Sequence, residues 1–102
     1  MIDMDNTKLA MDLLRTVDQL YPLTNLRRSE FREQSAKRWA IFEYVSSLLD
    51  KPAQDPIILL EMMIGRLACM VSHISLSDND SMIFPYKCAL STLINLEEKL
   101  NS

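Results

Sequence analysis

A chain of 102 residues, 48% hydrophobic and 25% charged, has the length of one domain and a folded composition, which excludes intrinsic disorder. A net charge of −3 argues against general nucleic-acid affinity, and one Gly with four Pro is too few turn-formers for a sheet of tight hairpins. Cys69 and Cys88 make no disulfide framework and read as two buried thiols, and the opening MIDMDNTKLAMD lacks the basic and apolar regions of a secretory signal; both features point to the cytoplasm.

The first predicted helix spans about 6–21. Asp5, Asn6 or Thr7 can cap its start. Leu9, Leu13, Val17 and Leu20 repeat at four, four and three, with Ala10, Leu14 and Tyr21 beside them, while Lys8, Asp12, Arg15 and Gln19 face away. Pro22 ends it, because the residue before a proline is disfavoured in helical geometry.

The second helix is expected over 28–49, with Phe31, Ser35, Trp39, Phe42, Ser46 and Leu49 along one side and Val45 at the edge. Asp50-Lys51-Pro52 stops it. Arg38 is the odd residue here, since it lies inside or beside the apolar stripe and an unpaired charge there is costly. Glu61 of the third helix is its expected partner in a structural ion pair. Arg27, Arg28, Arg32, Lys37 and Arg38 gather five of the eleven basic residues, with Glu30 and Glu33 interspersed. Such a cluster suits an acidic partner or a solvated face.

Asp55-Pro56 opens the third helix, about 56–75, as an N-cap followed by proline at a position whose N–H has no helical partner anyway. This is the apolar run PIILLEMMIGRLACMVSHIS. Leu60, Met63, Ile64, Leu67, Met70, Val71 and Ile74 share a broad side, and Gly65, Ala68 and Ser72 form a small-residue strip beside Glu61. A bilayer span would carry Glu61 and Arg66 near its midplane at roughly 2.5–3.5 kcal/mol each, so no membrane crossing is expected. The expected alternative is a central helix buried on most of its circumference, approached closely by a neighbour along the small strip. Met62, Met63 and Met70 are left over as a candidate homodimer interface.

The segment SLSDNDS, 75–81, reads as a turn: it lacks the glycine and the distant glutamate of a calcium loop. A fourth helix over about 82–100 follows, with Pro85 in its first turn. Tyr86, Ala89, Leu93, Leu96 and Leu100 recur at the spacing of a helix-packing seam. The fold class is therefore all-α, a single four-helix bundle-like domain with short loops.

Catalytic and cofactor motifs are missing. One glycine cannot build a phosphate loop, and neither GxSxG, HExxH nor CxxC occurs. Cys69 and His73 stand one turn apart, but with no orienting acid or oxyanion device they do not read as a nucleophilic pair, and His73 reads as a partly exposed helix residue. No metal, cofactor or enzymatic activity is expected. The function expected is a small protein-interaction module (regulator, inhibitor or chaperone-like adaptor), by fold-level analogy with small bacterial or phage regulators. Its contact residues would be Arg27, Arg28, Arg32, Trp39 and Tyr44. Two alternatives stand behind it. One is a nucleic-acid-binding regulator using the Arg27–Arg38 cluster, disfavoured because the next helix opens IILLEMMIG, unsuited to a groove. The other is a sensor of a small anionic ligand, with Arg38 in an interhelical pocket.

Overall fold

A computed structural model describes residues 6–75 and 80–102. They form four helices: α1 (Asn6–Leu20), α2 (Arg28–Asp50), α3 (Pro56–Ser75) and α4 (Asp80–Asn101). Among the described residues there is no strand, and the domain is an all-α, bundle-like assembly as expected. The turn expected over 75–81 falls mainly on residues 76–79, which lie outside the described residues.

α2 and α4 are the central pair. α1 packs against α2, α3 packs against α4, and α2 touches α3 only slightly. The principal extents, 47 × 34 × 24 Å, describe a slab about two helix diameters thick. Ala10 and Val17 of α1, Ala40, Tyr44 and Leu48 of α2, Leu59, Leu60 and Leu67 of α3, and Ala89 and Leu93 of α4 fill the core.

Local chemistry fixes the ends. Asp55 caps α3 through its carboxylate, which accepts the Ile57 N–H at 2.8 Å. At the start of α2, Glu30 reaches back to accept the Arg27 N–H at 3.3 Å, the return arm of a capping box. Asn25, in the α1–α2 connector, takes a left-handed φ of 58°, which asparagine tolerates better than most residues.

Asn6 behaves differently from the expected cap. It is buried; its backbone N–H donates to the Pro52 carbonyl at 3.0 Å, and its side-chain amide donates to the carbonyls of Lys51 (3.0 Å) and Gln54 (2.7 Å). It therefore bolts the start of α1 to the α2–α3 connector. At the other end of α1, Leu20 is exposed instead of continuing the buried line.

α4 starts at Asp80, so Pro85 lies inside the helix, past the first turn in which it was expected. α3 departs further from expectation. Leu59, Leu60 and Leu67 are buried, while Ile58, Met62 and Met70 are exposed. The strip of Gly65, Ala68 and Ser72 is exposed, and a Cβ built on Gly65 meets nothing within 4 Å. No neighbouring helix of the chain uses it. Pro56–Ile74 is long and apolar enough to cross a membrane by length and composition, with a mean hydropathy of 1.7.

Candidate functional site

The two apolar lines of α2 compete for the core, and the alanine-rich one wins. Ala36, Ala40, Ile41, Tyr44, Val45 and Leu48 are buried. At about 100° per residue they occupy the side opposite Phe31, Trp39, Phe42 and Leu49, all of which are exposed. The side read from the sequence as the apolar stripe of this helix thus faces out. A physical reason is residue size: the small Ala40 allows close helix packing in the core that holds Tyr44, Leu48 and Leu93, where a line of Phe and Trp is bulkier.

Tyr44 is correspondingly moved from the expected contact surface into the core. Its hydroxyl donates to the Pro56 carbonyl at 2.6 Å, tying the middle of α2 to the first turn of α3. Burial first, then the Asp55 carboxylate, pushes this phenol well above its ordinary range. It is a structural group and offers no surface to a partner.

Trp39 is 43% exposed and Phe31 49%. Both line a groove of about 460 Å³ between α2 and α4, floored by Ser35 and Ala36 and closed on the far side by Pro85 and Tyr86. Arg32 lines it too and places its guanidinium 5.4 Å from the centre of the Phe84 ring. Phe84, Pro85 and Tyr86 were not anticipated as site residues. The apolar cluster MIFPY at the start of α4 was the available signal.

Beyond the groove, Arg27 and Arg28 are exposed at the N-terminal end of α2. Arg27 stands 3.9 Å from Glu30, and Lys37 stands 3.9 Å from Glu33 and 5.7 Å from the Tyr21 ring centre. Cys88 is half-buried nearby. Burial first and the Glu33 carboxylate next push its thiol up, against the opposing pull of Lys37 and Arg32.

Arg38 does not meet Glu61. Its guanidinium donates to the Asp18 carboxylate at 2.7 Å and to the Tyr21 carbonyl at 3.1 Å, and lies 5.5 Å from the Phe42 ring centre. The pair clamps α2 to the C-terminal end of α1, whose last carbonyls need donors. Glu61 cannot reach because it stands exposed on α3, which α2 scarcely touches.

On α3, Met62 and Met70 are exposed, whereas Met63 packs against the core and leaves the expected interface. His73 is exposed, and so is Cys69, which was expected as a buried thiol but lies on the outward side of α3, opposite buried Leu60 and Leu67. Among the described residues no three His, Cys, Asp or Glu side chains gather as metal ligands would.

Chemically, then, the surface offers rigid aromatic area, a groove and a basic end. Compared with protein-family models, curated proteins and solved structures, the chain matches none.

Proposed function

We propose that this protein is a non-enzymatic interaction module whose binding surface is the outer stripe of α2 and the adjoining α2–α4 groove. One observation carries the reading: Phe31, Trp39, Phe42 and Leu49 present large apolar side chains to solvent along one helix face. Contiguous exposed apolar surface of this kind marks an interface, and Trp, Phe and Arg are residues on which binding energy concentrates. Arg28 and Arg32, together at the N-terminal end of α2, favour a partner segment that is apolar along its length and acidic at one end. Two free thiols support work in a reducing compartment, the cytoplasm.

The nucleic-acid alternative has less support, because Arg27, Lys37 and Arg38 each stand within 4 Å of a carboxylate. The anion-sensor alternative has lost its cation, since Arg38 is engaged by Asp18 and Tyr21.

Trp39 is the single tryptophan, so its fluorescence reports occupation of this surface directly. Peptides selected by display on the intact chain should be acidic and apolar, should shift the Trp39 emission to the blue, and should bind Phe31→Ala at least about tenfold more weakly. Selected peptides that bind Phe31→Ala and Trp39→Ala as well as the parent chain would refute the reading. So would binding to double-stranded DNA that weakens steeply with salt while peptides fail to bind.

A further inference from the structure

The second outward face lies on α3 and has a different character. Ile58 (47% exposed) and Met62 (42%), then Gly65, Cys69 and Ser72, follow one another at four, three, four and three. That is the spacing of a two-stranded coiled-coil seam. On a wheel of about 100° per residue the line runs opposite buried Leu60 and Leu67. The open space beyond Gly65 agrees.

The charges beside the seam choose the occupant and its direction. With Ile58, Gly65 and Ser72 at d and Met62 and Cys69 at a, Glu61 takes position g and Arg66 the following e. In a parallel pair of identical helices, g faces the e position five residues further along the other helix. Glu61 of each copy then faces Arg66 of the other, twice by symmetry. An antiparallel pair sets e against e, where the residues are Leu59, Arg66 and His73, and gives Arg66 no acid. Among the described residues neither Glu61 nor Arg66 has an ion-pair partner within its own chain.

We propose that α3 is a self-association helix that pairs in parallel with α3 of a second copy, through Ile58, Met62, Gly65, Cys69 and Ser72, with two Glu61–Arg66 ion pairs across the seam. Gly65 and Ser72 allow the close approach, and Ile58 and Met62 supply the apolar contact. The dimer is a weak one, because Arg66 also borders a cleft of about 410 Å³ that contains Glu43 and Asp50 of α2. A bilayer is a poorer occupant of the same face, since Glu61 and Arg66 would both have to enter it.

The test combines cross-linking with charge exchange. In the full chain carrying Cys88→Ser, Cys69 is the single thiol, and a parallel seam places its two copies across the two-fold axis, near the Cα separation of about 4.4–6.8 Å that a disulfide spans. Copper phenanthroline, the added oxidant that removes two electrons and two protons from the thiol pair, should then give a covalent dimer on a non-reducing gel. Sedimentation across concentrations up to about 0.5 mM should show reversible dimerisation. Glu61→Lys and Arg66→Glu should each weaken it by roughly three- to tenfold, and the double exchange should recover most of the loss.

A chain that stays monomeric throughout overturns the proposal. So does a dimer indifferent to Glu61→Lys, a double variant no tighter than the singles, a dimer abolished by Trp39→Ala, or a monomer that floats with phosphatidylcholine or phosphatidylglycerol vesicles. Thermal melts check that each variant folds. If Cys88→Ser fails to fold, peptide mapping of the cross-link in the parent chain gives the same answer.

Discussion

Leu48 and Leu49 are neighbours with the same side chain, and the rotation of α2 gives them opposite fates. Leu48 is 0% exposed and Leu49 is 49% exposed. Truncating Leu48 to Ala removes three carbons from the core, about 2.4 kcal/mol at 0.8 kcal/mol per buried carbon. The unfilled cavity adds about 1 kcal/mol, for a total near 3–4 kcal/mol. Truncating Leu49 loses about half of the transfer energy, leaves no cavity because water fills the space, and gains a few tenths of a kcal/mol in helix propensity. The net cost is about 1 kcal/mol or less. Urea titrations followed by far-ultraviolet circular dichroism measure both. In thermal melts the expected shifts are about 15 °C and about 4 °C. Equal costs, or a larger cost at Leu49, would mean that the aromatic stripe faces the core, and the proposed binding surface would fall with it.

Three more outcomes are expected. Asn6→Ala removes two side-chain donors and leaves the Lys51 and Gln54 carbonyls to find other partners, at a cost of about 1–3 kcal/mol by the same titration; a change under about 0.5 kcal/mol would show that the connector is held otherwise. Arg38→Ala should cost about 1–2 kcal/mol through lost donors and lost stem packing on Phe42, and Asp18→Ala less than about 1 kcal/mol, because Asp18 is largely exposed and Tyr21 still accepts from Arg38; Glu61→Ala should leave stability unchanged. Tyr44→Phe should cost about 1–2 kcal/mol at neutral pH. The folded phenol titrates above its unfolded value, so its share of stability is complete below about pH 10 and is lost as pH rises beyond that, and the Phe variant should lose less stability over the same alkaline range.

The helices were legible because their punctuation is chemical: Asp55-Pro56 fixes one start, and the prolines at 22 and 52 follow two ends. The rotation of α2 was not legible, because Phe31–Trp39–Phe42–Leu49 and Ala36–Ala40–Tyr44–Leu48 are both regular apolar lines. Residue size favours the aromatic line, whereas close packing favours the alanine line. The repeated adjacent pairs Ala40–Ile41 and Tyr44–Val45, followed by Leu48, were the available sign that this side is the wider one. The partner of Arg38 was hidden for another reason. Choosing Asp18 over Glu61 requires knowing that α1, and not α3, lies along α2, and periodicity within one helix carries no information about its neighbours. On α3 the apolar content was read as burial, although a helix at the flank of a slab buries only the side turned inward.

The two outward faces differ in character, and the two proposals give them different occupants. On α2 the side chains are large and aromatic, and Arg28 and Arg32 stand at one end of the line, which suits an unlike partner with an acidic end. On α3 the exposed line contains Gly and Ser with one acid and one base at the spacing a copy of itself would complement, which suits a like partner. Because the two lines lie on separate helices that scarcely touch, both can be filled at once. A dimer through α3 then displays the α2 surface twice, and a partner bearing two apolar, acidic segments gains from the second contact at the effective concentration its linker allows, with no new contact needed. Glu61→Lys should therefore weaken the binding of a tandem segment while leaving a single segment unaffected, and Trp39→Ala should weaken both. Equal effects of the two substitutions on a single segment would mean that the faces form one surface, and that partner capture and self-association compete for it.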